Sequence, residues 1–519
     1  MRPSLRLFFS SLGACLLAAW LGVTLAAEQI WLAGFITVLS GWVVLSWSTA
    51  ARAEAWLLGL LVVGYVIGNR GFAQIAPASA GPLFPGELGL VGAGSLVLFR
   101  GALRRESPVR RDALNAVLLL WLGLGAGRLA LDIRVHGMTA LRDFATVYYV
   151  LYFFAAQTIA GHLSSRRILR GALVVAFAVL PFTAVLAQAF PEFFLTRFTL
   201  RGAPLIFYKD DLLATFLFSG FILFVPKRRL APRADWWRWL LALAALALGF
   251  LELSRAAMVG LAVALTGLAV ARLWQPLRGV LAAGALALLL TAGYSVFQHA
   301  DVTQTKIYGV YEHLLAITDV SGTRQYSNLA SLDSGDNNRF RLVWWRTLSQ
   351  EVLSQAPLFG LGFGHDLARG FVQEYYAGVG DEFVIRSPHS IVFTALGRMG
   401  LAGVAVLLVI MIVLAVESLR AAKRTATGRL DEEAVTLYAI VWLILISACF
   451  GVVLEGPMAA IPFWVILGLA HHLAQQAESP APPDAAPEPD PAHSLPDRGR
   501  FPFVPASLHA PQGRRADKA

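Results

Sequence analysis

The sequence predicts an all-α protein that crosses a membrane about 12–14 times and carries one large loop with short helices on one side. Three observations predict this fold. Hydrophobic residues make up 57% of the 519 residues and charged residues only 15%, whereas soluble domains carry roughly 25% charged residues. Many apolar runs reach about 20 residues, the length that crosses ~30 Å of hydrocarbon. The runs do not alternate apolar and polar residues, as the strands of a transmembrane barrel would.

The apolar runs follow one another along most of the chain. The run that contains Cys15 continues to Ala27, so we predict a first helix that stays in the protein; a signal cleaved near Ala27 is the alternative. Cys15 and Cys449 both lie in apolar runs, where we expect them to pack and not to pair. The predicted spans lie near residues 7–26, 30–48, 54–68, 84–99, 113–131, 140–161, 168–189, 211–226, 236–253, 256–272, 277–297, 389–416, 434–454 and 458–473.

The loops between these spans differ strongly in basic residues. Cytoplasmic loops of membrane proteins carry an excess of Lys and Arg, which sets the orientation. The net charge of +10 is therefore interpreted as a topology signal and not as a nucleic-acid-binding surface. With both termini in the cytoplasm, the rich loops all fall on the cytoplasmic side: Arg52, Arg100–Arg111, Arg166–Arg170, Lys227–Arg238, Arg272–Arg278 and Arg420–Arg429.

This orientation divides the chain into four predicted parts. They are the N-terminal spans (1–297), a large loop outside the cytoplasm (298–388), the C-terminal spans (389–473) and a Pro-rich, disordered cytoplasmic tail (474–519). Within the loop, Val343–Leu353 is composed of good helix formers. The Gly360–Gly364 run requires tight turns, and Ser327–Asn338 is predicted to be irregular. We find no internal repeat of the kind common in transporters.

Cations at the outer ends of spans are the first candidate binding residues. Arg255 follows Glu252 between two apolar runs, and Arg201 and Lys209 lie in another outer loop. A buried arginine needs a partner or an anionic ligand. A pair with Glu252, or extension of the side chain to the interface, is the simpler interpretation of Arg255. The planar guanidinium donates two parallel hydrogen bonds to phosphate oxygens, so these cations suit a diphosphate at the membrane surface.

His389 is the candidate proton acceptor, because an imidazole suits general-base chemistry near neutral pH. It stands where the chain returns to an apolar helix, after Ser387 and Pro388. A histidine hydrogen-bonded to backbone at a helix start is the alternative, and His365 is a rival candidate base. The sequence has no outer histidine pair and no cysteine cluster, so we predict no metal and no cofactor.

Several of these residues lie in a pattern that resembles the O-antigen ligase superfamily. His389 and Ser390 are followed, after nine residues, by Gly400-Leu401-Ala402-Gly403. An upstream block, Arg339 or Arg341 with Trp345 and then Pro357–Gly362, is similar to a second motif of that family. Glu252–Arg255 is similar to a third. Together the three motifs cover roughly residues 195–415, in the family's order.

The resemblance implies a bacterial inner-membrane glycosyltransferase with its large loop in the periplasm. Such an enzyme moves a glycan from undecaprenyl diphosphate to an acceptor and needs no metal. By the same resemblance, His389 would deprotonate the acceptor hydroxyl, and Arg255 and Arg201 would hold the diphosphate. Arg341, or Arg339, would assist, with Lys209 nearby. Ser390, Gly400 and Gly403 are motif positions.

The resemblance leaves the acceptor open. The leading prediction is an O-antigen ligase that joins a lipid-linked polysaccharide to lipid A–core, with membrane lipids and no nucleic acid as further partners. A repeat-unit polymerase or a protein O-oligosaccharyltransferase on the same scaffold is the alternative. A transporter or lipid flippase is the alternative from a different class, and it would place charges near the middle of the membrane.

Overall fold

The computed structural model describes residues 52–75, 84–104, 107–200, 202–226, 236–298, 303, 308–312, 315, 329–375 and 387–476. The predicted spans at 7–26 and 30–48 lie outside the described residues. So do Cys15, Arg201 and residues 477–519 of the predicted tail.

The described chain is built from helices, which confirms the all-α fold class. Its strands are one antiparallel hairpin, β1 (Thr199–Leu200) and β2 (Ala203–Pro204), after a π-helical turn at Phe193–Arg197. The helices are α1 (Ala53–Ala73), α2 (Pro85–Arg104), α3 (Ala113–His136), α4 (Met138–Asp143), α5 (Ala145–Tyr148), α6 (Leu151–Ile159), α7 (Leu163–Ala189), α8 (Asp210–Phe224), α9 (Trp236–Leu251), α10 (Arg255–Val270), α11 (Gln275–Gln298), α12 (Leu329–Gln355), α13 (Arg369–Tyr375), α14 (Ile391–Ala426), α15 (Glu432–Cys449) and α16 (Pro457–Gln476).

Among the described residues, 6 helices are long and apolar enough to cross a membrane by length and composition: α1, α3, α7, α14, α15 and α16. Helices α2, α9, α10 and α11 contain shorter apolar stretches. Leu286, Leu288, Leu289 and Leu290 of α11 are exposed. Exposed leucine is unfavourable in water and favourable against lipid. The polytopic membrane fold is therefore confirmed.

The predicted span at 140–161 is three short helices, α4 to α6, and not one continuous helix. Where these short helices meet, the backbone forms tighter turns than an α-helix. The amides of Val147, Val150 and Tyr152 donate to carbonyls three residues back instead of four. Such 3₁₀-type turns keep a helical course but change its direction. Hydropathy does not detect them, since the apolar composition is unchanged.

Small residues allow the helices to approach closely. A Cβ at Gly260 of α10 would lie 2.6 Å from the carbonyl oxygen of Leu443 in α15. A Cβ at Gly468 of α16 would lie 2.6 Å from the carbonyl oxygen of Phe153 in α6. Helix α16 occupies the interior, with 83% of its most apolar window buried. The bundle is therefore held by backbone-to-backbone contacts around α16 and α15.

Helix α12 is longer than predicted, and the expectation that Ser327–Asn338 is irregular is wrong from Leu329 onward. Ser, Asp and Asn lower helix stability by only fractions of a kcal/mol each. Once a helix has nucleated, extending it is favourable. The second half of α12 is packed against the protein, since Trp344, Leu348 and Val352 are buried.

The loop Pro357–Gly364, called here the glycine loop, lies across a kink in α14. Gly400 at the kink has φ 64° and ψ −157°, a conformation that only glycine adopts readily. The kink frees two amides of α14: Leu401 donates to the carbonyl of Pro357 (2.9 Å) and Ala402 to that of Leu358 (3.1 Å). The motif glycine thus provides the binding surface for the glycine loop.

Buried charges tie the other side of the glycine loop to α3 and α4. Arg398 of α14 forms an ion pair with Asp143 (2.8 Å) and donates to the carbonyls of Gly362 (3.0 Å) and His365 (2.6 Å). The amide of Phe363 donates to Asp132 (2.7 Å). Buried charges that are paired and hydrogen-bonded hold a defined geometry, so the glycine loop is fixed from both sides.

Candidate active site

His389 lies in the turn immediately before α14, on an unusual backbone conformation. Its φ is 56°, which a non-glycine residue adopts at a cost of order 1–3 kcal/mol. The turn is held from α12: the indole of Trp345 donates to the carbonyl of Pro388 (2.7 Å) and stacks on Phe393. The imidazole lies 5.8 Å from the ring of Trp344, centroid to centroid. Helix α12 therefore positions the histidine.

The environment of His389 favours its neutral form. Burial first, and then the positive charges of Arg341 and Lys209, lower the pKa of His389 to about 4, while Asp211 opposes the shift. Its Nδ1 atom is buried and has no hydrogen-bond partner among the described residues. An unprotonated imidazole with an unsatisfied nitrogen is able to accept a proton or a hydrogen bond from a ligand.

Two cations act electrostatically on His389. Lys209 precedes α8, and its ammonium donates to the carbonyl of Val452 (3.0 Å). Burial lowers the pKa of Lys209, as it does the pKa of Arg341. Arg341 is half-buried, whereas Arg339 is exposed. Of the two arginines that the sequence left open, Arg341 is the one whose charge acts on His389.

A hydrogen bond joins the start of α10 to the start of α8. Ser254 caps α10, with its hydroxyl 3.4 Å from the amide of Ala257, and it donates to Asp211 of α8 (3.3 Å). Arg255 is the first residue of α10, half-buried and partnered within the protein. Arg255 therefore lies at the same end of the bundle as Lys209. Glu252, its predicted partner, accepts a hydrogen bond from Gln188 (2.6 Å).

Glu455, between α15 and α16, is a site residue that sequence reasoning missed. One carboxylate oxygen accepts hydrogen bonds from Ser387 (3.1 Å) and Thr394 (3.2 Å), on either side of His389. Burial raises the pKa of Glu455 to about 7, although the charge of Lys209 opposes this. The signal in the sequence was an acidic residue in a short apolar loop between two spans. Burying a carboxylate at such a position costs free energy, so the residue is expected to have a function.

Arg70 lies in the last turn of α1. Its guanidinium lies 5.4 Å from the ring of Phe207, and the backbone of Asn69 bridges to Phe207. Arg70 is exposed, and its charge helps to lower the pKa of Lys209. It adds a further cation at this end of the bundle.

The remaining predicted residues are distributed as follows. His365 contacts Glu351 (3.4 Å) in the glycine-loop region and not His389. The backbone carbonyl of buried Ser390 accepts from the amide of Thr394 (2.8 Å) at the start of α14. A Cβ at Gly403 would lie 2.5 Å from the Cβ of Met399, so this motif position is constrained by packing.

One group of potential metal ligands occurs among the described residues, and it lies at the opposite end of the bundle. Asp112, Glu417 and His471 bring ligand atoms within 4.8 Å of one another. However, the two ring nitrogens of His471 are already engaged by the two carboxylates, at 2.8 Å from Glu417 and 3.1 Å from Asp112. This arrangement links α16, α14 and the start of α3 through hydrogen bonds.

The comparison with protein families finds one match in the chain. Residues 240–408 match the family model described as O-antigen ligase. The chain carries an O-antigen ligase domain. This confirms the resemblance stated from the motifs, and the domain includes Arg255, Arg341, His389 and both motif glycines. A comparison with curated proteins finds no match.

The ligase domain indicates a membrane enzyme of the glycan ligase or polymerase type, which handles lipid-linked glycan and polysaccharide. The domain does not supply the whole site. Lys209 and Arg70 precede it in the chain, and Glu455 follows it. The tertiary structure brings these three residues to the His389 end of the domain.

Proposed function

We propose that the protein is a bacterial inner-membrane glycosyltransferase that moves a glycan from undecaprenyl diphosphate to an acceptor hydroxyl at the periplasmic face. Its proposed reaction is O-antigen ligation to lipid A–core. The observation that carries the proposal is the buried Nδ1 atom of His389, which has no hydrogen-bond partner among the described residues. The charges of Lys209 and Arg341 act on this imidazole and favour its neutral form. A neutral base beside fixed cations suits a reaction in which a hydroxyl attacks and a diphosphate leaves.

The chemistry follows from these two parts. His389 takes the proton from the acceptor hydroxyl as its oxygen attacks the sugar carbon. The bond from that carbon to the diphosphate breaks, and the diphosphate leaves with the electron pair. Arg341, Lys209, Arg255 and Arg201 stabilise the negative charge that develops. Fixed cations in a partly desolvated site lower the barrier because they require no reorganisation during the reaction.

The course of α14 supports a periplasmic site. His389 stands at the start of α14, and the last turn of α14 carries Lys423 and Arg424. By the positive-inside rule the basic end faces the cytoplasm. The end that carries His389 then faces the periplasm, where a lipid-linked polysaccharide and lipid A–core would meet.

A complementation experiment tests the proposal. In a strain that lacks the gene, lipid A–core is expected to lose its long glycan chains while lipid-linked polymer accumulates. The wild-type gene restores the chains, His389→Ala does not, and His365→Ala, the matched control, does. Restoration by His389→Ala at normal expression would remove the proposed base.

The same strain separates the alternatives by acceptor. Single repeat units left on the core would indicate a polymerase. Unchanged lipopolysaccharide with altered glycoproteins would indicate a protein O-oligosaccharyltransferase. A transporter or flippase would leave no transfer activity in the purified protein, whereas the proposed enzyme transfers glycan in detergent and keeps its rate in EDTA. A strict requirement for added metal would contradict the mechanism.

A further inference from the structure

Glu455 is hydrogen-bonded to the residues around His389 at two points, and a third contact reaches the loop that carries it. Its Oε1 atom accepts from Ser387 and from Thr394, so it is attached to the chain on both sides of His389. The loop that carries Glu455 also receives Lys209, through the carbonyl of Val452. The Oε2 atom is buried and has no hydrogen-bond partner among the described residues. Burying a carboxylate in such a position costs free energy. Its hydrogen bonds on both sides of His389 indicate that it acts on this turn.

We propose that the ionised carboxylate of Glu455 is a positioning group of the active site, which holds the His389 turn and the Lys209 ammonium in place for glycan transfer. The inference rests on the proposed function. Hydrogen bonds to an ionised acceptor are roughly twice as strong as those to a neutral one. Loss of the charge would therefore loosen the bonds to Ser387 and Thr394 together.

The charge of Glu455 also acts on Lys209. Burial lowers the pKa of Lys209, and the carboxylates of Asp211 and Glu455 counteract this. With Glu455 neutral, Lys209 retains Asp211 as its acidic neighbour, while Arg341 and Arg70 continue to disfavour its charge. The charged form of Lys209, which would hold the diphosphate, is then less favoured.

Burial makes Glu455 a group that is expected to titrate near neutral pH. The charge of Lys209, before α8, acts on Glu455, and the charge of Glu455 acts on the Cys449 thiol at the end of α15. The charges of Asp211 in α8 and Arg341 in α12 act in turn on Lys209 and on His389, which stands before α14. His389, with a pKa of about 4, is already neutral at pH 6. Burial raises the pKa of Glu455 to about 7, so its charge is gained as the pH rises through that value.

The experiment measures glycan transfer by the purified full-length protein from pH 5.5 to 8.5. The donor is undecaprenyl-diphosphate-linked O-antigen, and the acceptor is lipid A–core from the deletion strain. Wild-type kcat is expected to rise with an inflection near pH 7. Glu455→Gln keeps an oxygen that can accept from both hydroxyls through weaker bonds, and it removes the cost of burying a charge. Because these effects oppose each other, its melting midpoint should stay close to that of wild type. Its kcat at pH 8 should be at least about tenfold lower, without the inflection.

Ser387→Ala is the matched variant that keeps the charge. The Ser387 hydrogen bond favours the ionised form of Glu455, so its removal raises the pKa of Glu455 further. The inflection should therefore move to higher pH and not disappear. A merely structural role for Glu455 would leave the position of the inflection unchanged.

The outcomes separate this inference from the proposed function. No transfer by wild type would contradict the proposed function. Transfer that His389→Ala abolishes, but that Glu455→Gln retains with the wild-type pH profile, would contradict the role of Glu455 alone. A flat wild-type profile between pH 6 and 8 would also overturn it, even if Glu455→Gln failed to fold.

Discussion

Gly400→Ala tests whether the α14 kink positions the turn that carries His389. An alanine Cβ at this position would lie 2.4 Å from the amide nitrogen of Gly360 and 2.6 Å from the carbonyl oxygen of Leu358. These distances are too short for real contacts, and both partners are backbone. The glycine loop would therefore have to move away from α14.

Two contributions determine how much Gly400→Ala should lower the free energy of unfolding. An L-residue held at the φ and ψ of Gly400 costs about 1–3 kcal/mol. Displacing the glycine loop breaks the bonds from Leu401 to Pro357 and from Ala402 to Leu358, each worth about 0.5–1.5 kcal/mol. The expected destabilisation is roughly 2–6 kcal/mol, a large fraction of the stability of an ordinary protein.

The assay is the melting midpoint of the purified protein in detergent, together with glycan transfer at a temperature where the variant is folded. We expect the midpoint to fall by on the order of 5 °C or more, with reduced kcat. Gly267→Ala is the control: Gly267 lies within α10, where an added Cβ meets nothing within 4 Å. Alanine is the better helix former, so that variant should be unchanged or slightly more stable.

A Gly400→Ala variant that melts like wild type would refute the reasoning. It would mean that the kink in α14 relaxes at no cost. Retained stability with lost transfer would be a different result, since it would separate the kink's effect on the active site from its effect on stability. Only a fall in both measurements agrees with a glycine loop that supports the fold and the site together.

Three further substitutions test the site. Arg341→Lys should lower kcat at least about tenfold, because an ammonium cannot reproduce the bidentate guanidinium; Arg339→Lys, at an exposed position, should not, and equal effects would contradict the assignment. Trp345→Phe removes the donor to the carbonyl of Pro388, a loss of about 1–3 kcal/mol, so kcat should fall while KM for the donor stays constant. Arg70→Ala should raise KM for the diphosphate donor several-fold and leave kcat unchanged; an unchanged KM would exclude Arg70 from donor binding.

Much of the site could be anticipated by combining hydropathy with charge. His389 and Lys209 were selected because they stand where the chain enters or leaves an apolar span. That position is a local property, and the structure places both residues at one end of the bundle. Arg201 was selected in the same way, and its role stays a prediction, as do the domain boundaries and the orientation in the membrane.

The predictions that were missed, left open or wrong have a common cause, because each depends on packing between distant parts of the chain. Glu455 was missed because its importance depends on hydrogen bonds to Ser387 and Thr394, 68 and 61 residues away along the chain. The choice between Arg339 and Arg341 was open because spacing does not show which side of α12 faces His389. The start of α12 was misplaced because local propensity is a weak preference that packing overrides.

The sequence by itself determined that this is a helical membrane protein, roughly where most of its described apolar helices lie, and which superfamily its motifs resemble. These properties follow from the local requirement to satisfy backbone hydrogen bonds within hydrocarbon and from short motifs. Only the tertiary structure decided which charges meet. Lys209, Arg341, His389 and Glu455 come from four segments, and their proximity depends on how those segments pack together. Such packing is a property of the whole bundle, and no single stretch of the chain carries it.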